Sequence, residues 1–118
     1  EVEDFEEAFA RYCGASHAIG VANGLEALIL TLKALGVGPG DEVIVPSNTY
    51  IATWLAVSDL GAVPVPVEPD PATYNIDPGR IEAASGPKTC AVVAVHPYGQ
   101  PADISPILGV ARRHGLAA

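Results

Sequence analysis

Positive charge is scarce in this sequence. Six Lys and Arg stand against fourteen Asp and Glu, a formal net charge of −8. A surface that negative repels nucleic acid and anionic membrane, so neither is expected as a partner of this chain. Cysteine is scarcer still. Cys13 and Cys90 lie far apart and share no partner spacing. A disulfide framework is therefore not expected, and a reducing cytoplasm is the expected compartment. Together with His17, His96 and His114 the cysteines show no zinc spacing either. No apolar run reaches the roughly 18 residues of a membrane-spanning helix. The opening Glu1-Val2-Glu3-Asp4 has no basic n-region, so no signal peptide is expected. Nucleophile elbows and P-loop lysine motifs are absent. Gly36-Val37-Gly38-Pro39-Gly40 looks like a dinucleotide loop, but it follows a helical pattern and precedes a strand, the reverse of the required context.

What is present is a globular pattern. The chain has 118 residues, enough for one domain, and 49% of them are hydrophobic, far above the level of a disordered acidic tail. Helical and strand patterns alternate. Val2, Phe5, Phe9 and Tyr12 fall at helical spacing before Gly14, and Leu25, Leu28, Leu32 and Leu35 do so before Gly36. Tyr50 to Leu60 reads as a third helix. Asp77-Pro78 opens a fourth with a capping residue and a first-turn proline, and Asp103 to His114 is a fifth. Strands are predicted at His17–Ala22, Glu42–Val45, Ala62–Val67 and Thr89–His96. Pro64 and Pro66 push the third toward a sheet edge, and the last is apolar enough to be covered on both faces. Such alternation predicts an α/β fold, a parallel or mixed sheet flanked by helices with right-handed crossovers. After the fifth helix, at Leu116-Ala117-Ala118, the pattern asks for another strand. Residues 1–118 are therefore expected to be part of a longer domain. Alone, they are expected to expose the apolar face of an unfinished sheet.

In such sheets ligands gather at the carboxyl ends of the strands, where helix N-termini point their amides outward. Three turns are candidates. In Val21-Ala22-Asn23-Gly24-Leu25-Glu26, Asn23 fits an N-cap and Glu26 the reciprocal position of a capping box. Gly24 would let an anion approach its own amide and that of Leu25, although an ordinary capped helix has the same pattern. In Pro46-Ser47-Asn48-Thr49-Tyr50 the aromatic could lie flat on a ligand ring. Equally, Asn48 or Thr49 could cap the helix, with Tyr50 as a hydrophobic staple. In His96-Pro97-Tyr98-Gly99-Gln100-Pro101 the imidazole could bind a ligand or merely serve the turn.

Taken in series, these turns resemble the DegT/StrS group of sugar-nucleotide aminotransferases, which use pyridoxal phosphate (PLP) on the aspartate-aminotransferase type of fold. The similarity runs through Phe5 to Gly14, Gly20 to Leu28, Gly38 to Pro46, Tyr74 to Pro78 and Val95 to Asp103. The stretch Pro46 to Ser58 is similar to members that aminate the 3-keto group of a dTDP-linked 6-deoxyhexose. The resemblance implies a fold-type-I large domain of which residues 1–118 are the N-terminal part. It implies that the amides of Gly24 and Leu25 hold the cofactor phosphate, in a turn where most relatives read Ser-Gly-Thr and this chain has Asn23, Gly24 and Leu25. It implies that Tyr50 stacks on the pyridine ring and that His96 approaches the ring substituents. Relatives usually have Leu at the position of Pro97. The implied reaction is amino transfer from an amino acid, commonly glutamate, to a keto sugar, by a cytoplasmic homodimer of deoxysugar or polysaccharide biosynthesis. Neither Lys33 nor Lys88 lies in the family's cofactor-anchoring motif, and the aspartate for the pyridine nitrogen would follow Ala118, so no catalytic residue is expected within these residues. Two alternatives stand beside this reading. One is a PLP-dependent sugar dehydratase of the same group, with histidine in place of the lysine. The other is a non-catalytic nucleotide-binding α/β module.

Overall fold

Glu42-Val43-Ile44-Val45-Pro46 is polar only at its first position, and such a run suits a strand covered on both faces. In the computed structural model, which describes residues 1–118, it is the central strand β1 (Glu42–Pro46) of a three-stranded sheet. Its neighbours β2 (Val63–Val67) and β3 (Thr89–Val92) both pair with it in parallel, in the order β2-β1-β3. The helices are α1 (Val2–Cys13), α2 (Gly24–Ala34), α3 (Ile51–Ser58), α4 (Pro78–Ala84) and α5 (Ile104–His114), and a 3-10 turn spans Pro97–Gly99.

Successive strand residues face opposite sides of a sheet. Val43 and Val45 accordingly pack with Leu32, Ala56 and Val57 under α2 and α3. Ile44, between them, packs with Ile81, Ile107 and Val110 under α4 and α5. All three strand residues are fully buried, and each such side chain contributes roughly 1.5–3 kcal/mol. The result is three layers, helix–sheet–helix. The connection from β1 to β2 runs one way across the sheet and that from β2 to β3 runs back. Right-handed crossovers then require α3 and α4 on opposite faces, as observed.

The prolines of β2 lie where the ladder tolerates them. Val63 N donates to Asp41 O and Ser47 N to Val67 O, so the odd-numbered residues bond to β1. Pro64 and Pro66 turn their missing N–H to the open edge, which also blocks a further strand from pairing there.

Two expectations need correction. His17–Ala22 is not a strand. It runs as irregular, mostly exposed chain beside α1, with no strand neighbour to share a ladder. Its one tie to α1 is the bond from Gly20 N to the Glu6 carboxylate. The strand expected over Thr89–His96 ends at Val92. Its partner β1 ends at Pro46, and the bond from Val93 N to Ile44 O (2.9 Å) is the last of that ladder. Of the parallel or mixed sheet expected, the parallel form is the one observed. The strand asked for after α5 does begin to pair. Ala117 bridges Ala91 in parallel, with Val92 N to Ala117 O at 2.8 Å and Ala117 N to Cys90 O at 2.9 Å.

Candidate cofactor-binding site

In open α/β sheets the ligand crevice opens where adjacent strands send their chains to opposite faces. Here those strands are β1, which leads to α3, and β3, which leads toward α5. A cleft of about 1010 Å³ lies at their carboxyl ends. It has three walls: the start of α2, the Asn48–Thr53 segment after β1, and Val95, Pro97 and Tyr98 after β3.

The α2 wall is built by a capping box. Asn23 Oδ1 accepts from Glu26 N at 3.0 Å, and Glu26 Oε2 accepts from Ala22 N at 2.7 Å. The box engages the amides of residues 22 and 26. Gly24 and Leu25 open the helix, so their N–H groups have no intrahelical acceptor. A Cβ added to Gly24 would meet no protein atom within 4 Å. Packing therefore does not demand glycine here, and the space over the two amides belongs to the cleft. Free amides, open space and the positive end of the helix dipole together suit an anion. The Leu25 side chain packs against the core under α2 and α3, so this position offers its amide and no hydroxyl.

The second wall keeps its aromatic free by holding everything around it. The expected caps are not made: Tyr50 itself is the N-cap of α3, with no side-chain cap. Asn48 Nδ2 instead donates to Tyr74 O at 2.9 Å, and the Thr49 and Thr53 hydroxyls bond each other at 3.0 Å. Trp54 Nε1 donates to Pro46 O at 3.2 Å. The Tyr50 residue is 80% exposed, so it is no hydrophobic staple, and its ring is available to a ligand.

The third wall separates His96 from its neighbours. Val95, Pro97 and Tyr98 line the cleft and His96 does not. Its Nδ1 accepts from Ala102 N at 2.9 Å, which fixes the imidazole to its own loop. No charged side chain lines this cleft, and neither Lys33 nor Lys88 reaches it. Outside it, burial and the Asp41 carboxylate push the Cys90 thiol up, which keeps it a poor nucleophile.

The family model of the DegT/DnrJ/EryC1/StrS aminotransferases matches residues 1–118, the whole of the chain. This chain belongs to that family. Among the members to which it is similar is the dTDP-3-amino-3,4,6-trideoxy-alpha-D-glucose transaminase of Streptomyces venezuelae, 56% identical over 116 residues, which are 98% of this chain and 31% of that protein. The crystal structure of S. venezuelae DesV in complex with a ketimine intermediate superposes with a TM-score of 0.95 at 56% identity, over 98% of this chain and 31% of that one. NtdA of Bacillus subtilis, solved with bound cofactor PMP, superposes with a TM-score of 0.95 at 40% identity, over 98% and 26% of the two chains. The chain thus spans about a third of the length of the curated relatives it matches. The fold class expected from the sequence, a portion of a PLP aminotransferase large domain, is the fold these family structures share.

Of the residues singled out from the sequence, Asn23, Gly24, Leu25 and Tyr50 come together in one cleft and His96 stands behind it. Sequence reasoning gave no role to Tyr98, which lines the cleft, or to the Asn48 bridge to Tyr74. Asn48 carried a misleading pattern, because a polar residue just before a helix reads first as a cap.

Proposed function

We propose that this chain is the N-terminal part of the PLP-binding domain of an aminotransferase, one that moves an amino group from an amino acid, with glutamate the expected donor, to a keto sugar carried on a nucleotide. The observation that carries this reading is the cleft shared by Gly24 and Tyr50. One offers unpaired amides at a helix N-terminus and the other an uncovered aromatic ring, and a phosphorylated heteroaromatic needs both at once. The residues present therefore fit the cofactor.

In this reading the amides of Gly24 and Leu25 hold the phosphate, and the Asn23–Glu26 box fixes the angle of α2 so that both amides face it. Tyr50 sets the plane of the pyridine ring. Bound PLP would supply the electron sink that amino transfer requires. His96 holds the turn after β3 through Ala102 N and so shapes the wall that faces the substrate. We propose a homodimer, as the resemblance to the family implies. The lysine that anchors the cofactor and the carboxylate for its pyridine nitrogen would lie beyond residue 118.

The test is spectroscopic. The intact protein, supplied with PLP, should show a visible absorption band that shifts on addition of glutamate. Gly24→Asp puts a carboxylate into the anion space and should lower PLP affinity by at least about tenfold, the scale of one lost charge-assisted contact. An intact protein that takes up no PLP would overturn the reading.

A further inference from the structure

Six glycines of this chain have positive φ, as glycine readily does, but two other residues share the left-handed region: Tyr74 and Tyr98, both at φ 59°. For a bulky side chain that conformation is a true outlier, held only where surrounding structure insists on it. Here it does. Asn48 Nδ2 donates to Tyr74 O at 2.9 Å, and Tyr74 N donates to Asp70 O at 2.8 Å. Buried Asn75 then crosses to the other loop, its Nδ2 donating to Pro101 O at 3.1 Å. The loops after β1, β2 and β3 are thereby tied into one platform. On it the two phenol rings meet edge to face, with centroids 6.3 Å apart and planes at 87°.

Strain of this kind is ordinarily offset by burying something, yet Tyr74 is 57% exposed and Tyr98 is 83% exposed. What the conformation achieves is placement. It brings Tyr98 onto the cleft wall opposite the start of α2, with Tyr74 braced against its ring. At about 1010 Å³ the cleft has the size of a small-molecule site.

We propose that Tyr98, braced by Tyr74, is a specificity-determining residue that receives the hexose ring of the nucleotide-sugar substrate. The inference rests on the aminotransferase reading of the cleft. Around Tyr98 the wall is Val95 and Pro97, apolar and without charge. Such a wall has nothing to match a diphosphate and no amide edge to read a base. It does match the C–H face of a pyranose, while the phenol oxygen can exchange a hydrogen bond with a sugar hydroxyl. The ring that reacts must also lie beside the cofactor ring, and Tyr98 shares its cleft with Tyr50, whereas the carrier nucleotide can extend outward.

The experiment uses the intact PLP-loaded protein. Calorimetry first finds which of dTDP, UDP and GDP binds the wild type most tightly. It then compares that nucleotide with its glucose conjugate. Tyr98→Gly is the decisive variant because glycine accepts φ 59° without strain. The expected result is an unchanged PLP band, a Tm no lower than wild type, unchanged affinity for the free nucleotide and a three- to tenfold loss of affinity for the conjugate, about the range of an aromatic contact. Tyr98→Phe should keep most of that affinity. A lower Tm with unchanged conjugate binding would make Tyr98 merely structural and overturn the proposal, as would equal losses for nucleotide and conjugate. A wild type that takes up PLP but binds none of the nucleotides would overturn the sugar-nucleotide reading and this inference with it. Absence of PLP uptake would overturn the cofactor reading itself.

Discussion

Helices α1 and α5 are alike in sequence and opposite in fate. Both are amphipathic, both end in a left-handed glycine, Gly14 and Gly115, and both carry charge on the outer face. Yet α5 buries Ile107, Val110 and Ala111 against the sheet, whereas α1 buries Ala10 alone. Its apolar stripe stays open, with Val2 66%, Phe5 63% and Tyr12 87% exposed. Amphipathic spacing thus identifies a face that wants a partner without saying where the partner is. The partner of α5 is the sheet of this chain. Within residues 1–118 only the irregular chain at 15–20 lies against α1, and its aromatic rings cover one another, Phe5 stacked on Phe9 at 5.6 Å.

The sharpest way to break this comparison is to truncate one residue on each face. Ile107 is 1% exposed within the core under α4 and α5, so Ile107→Ala should cost about 2–5 kcal/mol. Phe9→Ala removes the larger side chain, but from a face 48% exposed and against one stacked ring, and should cost no more than about 1.5 kcal/mol. Urea unfolding followed by circular dichroism measures both. Equal costs would mean that α1 is packed in solution and that the contrast is false.

The same contrast marks what could be read from the sequence. Helical spacing located α1, α2 and α5, because their apolar residues recur with the turn, while an apolar run located α3 and the Asp77-Pro78 start located α4. The Pro64–Pro66 alternation rightly placed β2 at an edge, because a residue without N–H cannot serve the inner ladder. The cleft was legible as far as local chemistry goes: a capping box with glycine inside it, and an aromatic at the next helix start. What was not legible depended on partners distant in sequence. His17–Ala22 is apolar enough for a strand and has no neighbouring strand. His96 belongs to its loop because Ala102 N reaches it. Tyr98 was hidden because no residue-level pattern announces a tyrosine at positive φ. It sits in a turn closed by Gln100 N on Pro97 O, and the loop of Tyr74, whose ring meets it, is held there by bonds that Asn48 and Asn75 make across 25 or 26 positions.

A milder probe acts on the open stripe itself. Replacing Phe5, Phe9 and Tyr12 together by Ser should change the stability of this chain little beyond the Phe9 truncation alone, since the more exposed positions 5 and 12 are usually worth no more than about 0.5 kcal/mol each. Self-association should respond far more, because the triple change removes a contiguous apolar patch. Light scattering against concentration should show the variant remaining dispersed where the parent associates. An unchanged scattering curve would place the sticky surface elsewhere, at the open side of the sheet.

The smallest expected effect concerns what holds each helix by charge. Helix α1 has only the local Glu7–Arg11 pair at 3.5 Å, within one helix. Helix α5 is clamped to α4: Glu82 accepts from Arg113 at 3.0 Å and meets His114 Nε2 at 3.2 Å. The His114 bond first, and then the Arg113 guanidinium, hold the Glu82 carboxyl below its ordinary value of 4.5. A carboxyl whose value is lowered on folding stabilises the folded state above its unfolded value, and that stabilisation is lost as pH falls through the lowered one. Glu82→Gln should therefore be slightly less stable than wild type at neutral pH, and the two stabilities should converge as the solution is acidified below about 4. The pair is exposed, so salt should shrink the gap as well. Glu7 in α1 joins no two elements, and Glu7→Gln should leave the unfolding midpoint at neutral pH unmoved. A loss at neutral pH for Glu7→Gln as large as that for Glu82→Gln would show that the clamp between α4 and α5 gives no advantage over a pair inside one helix.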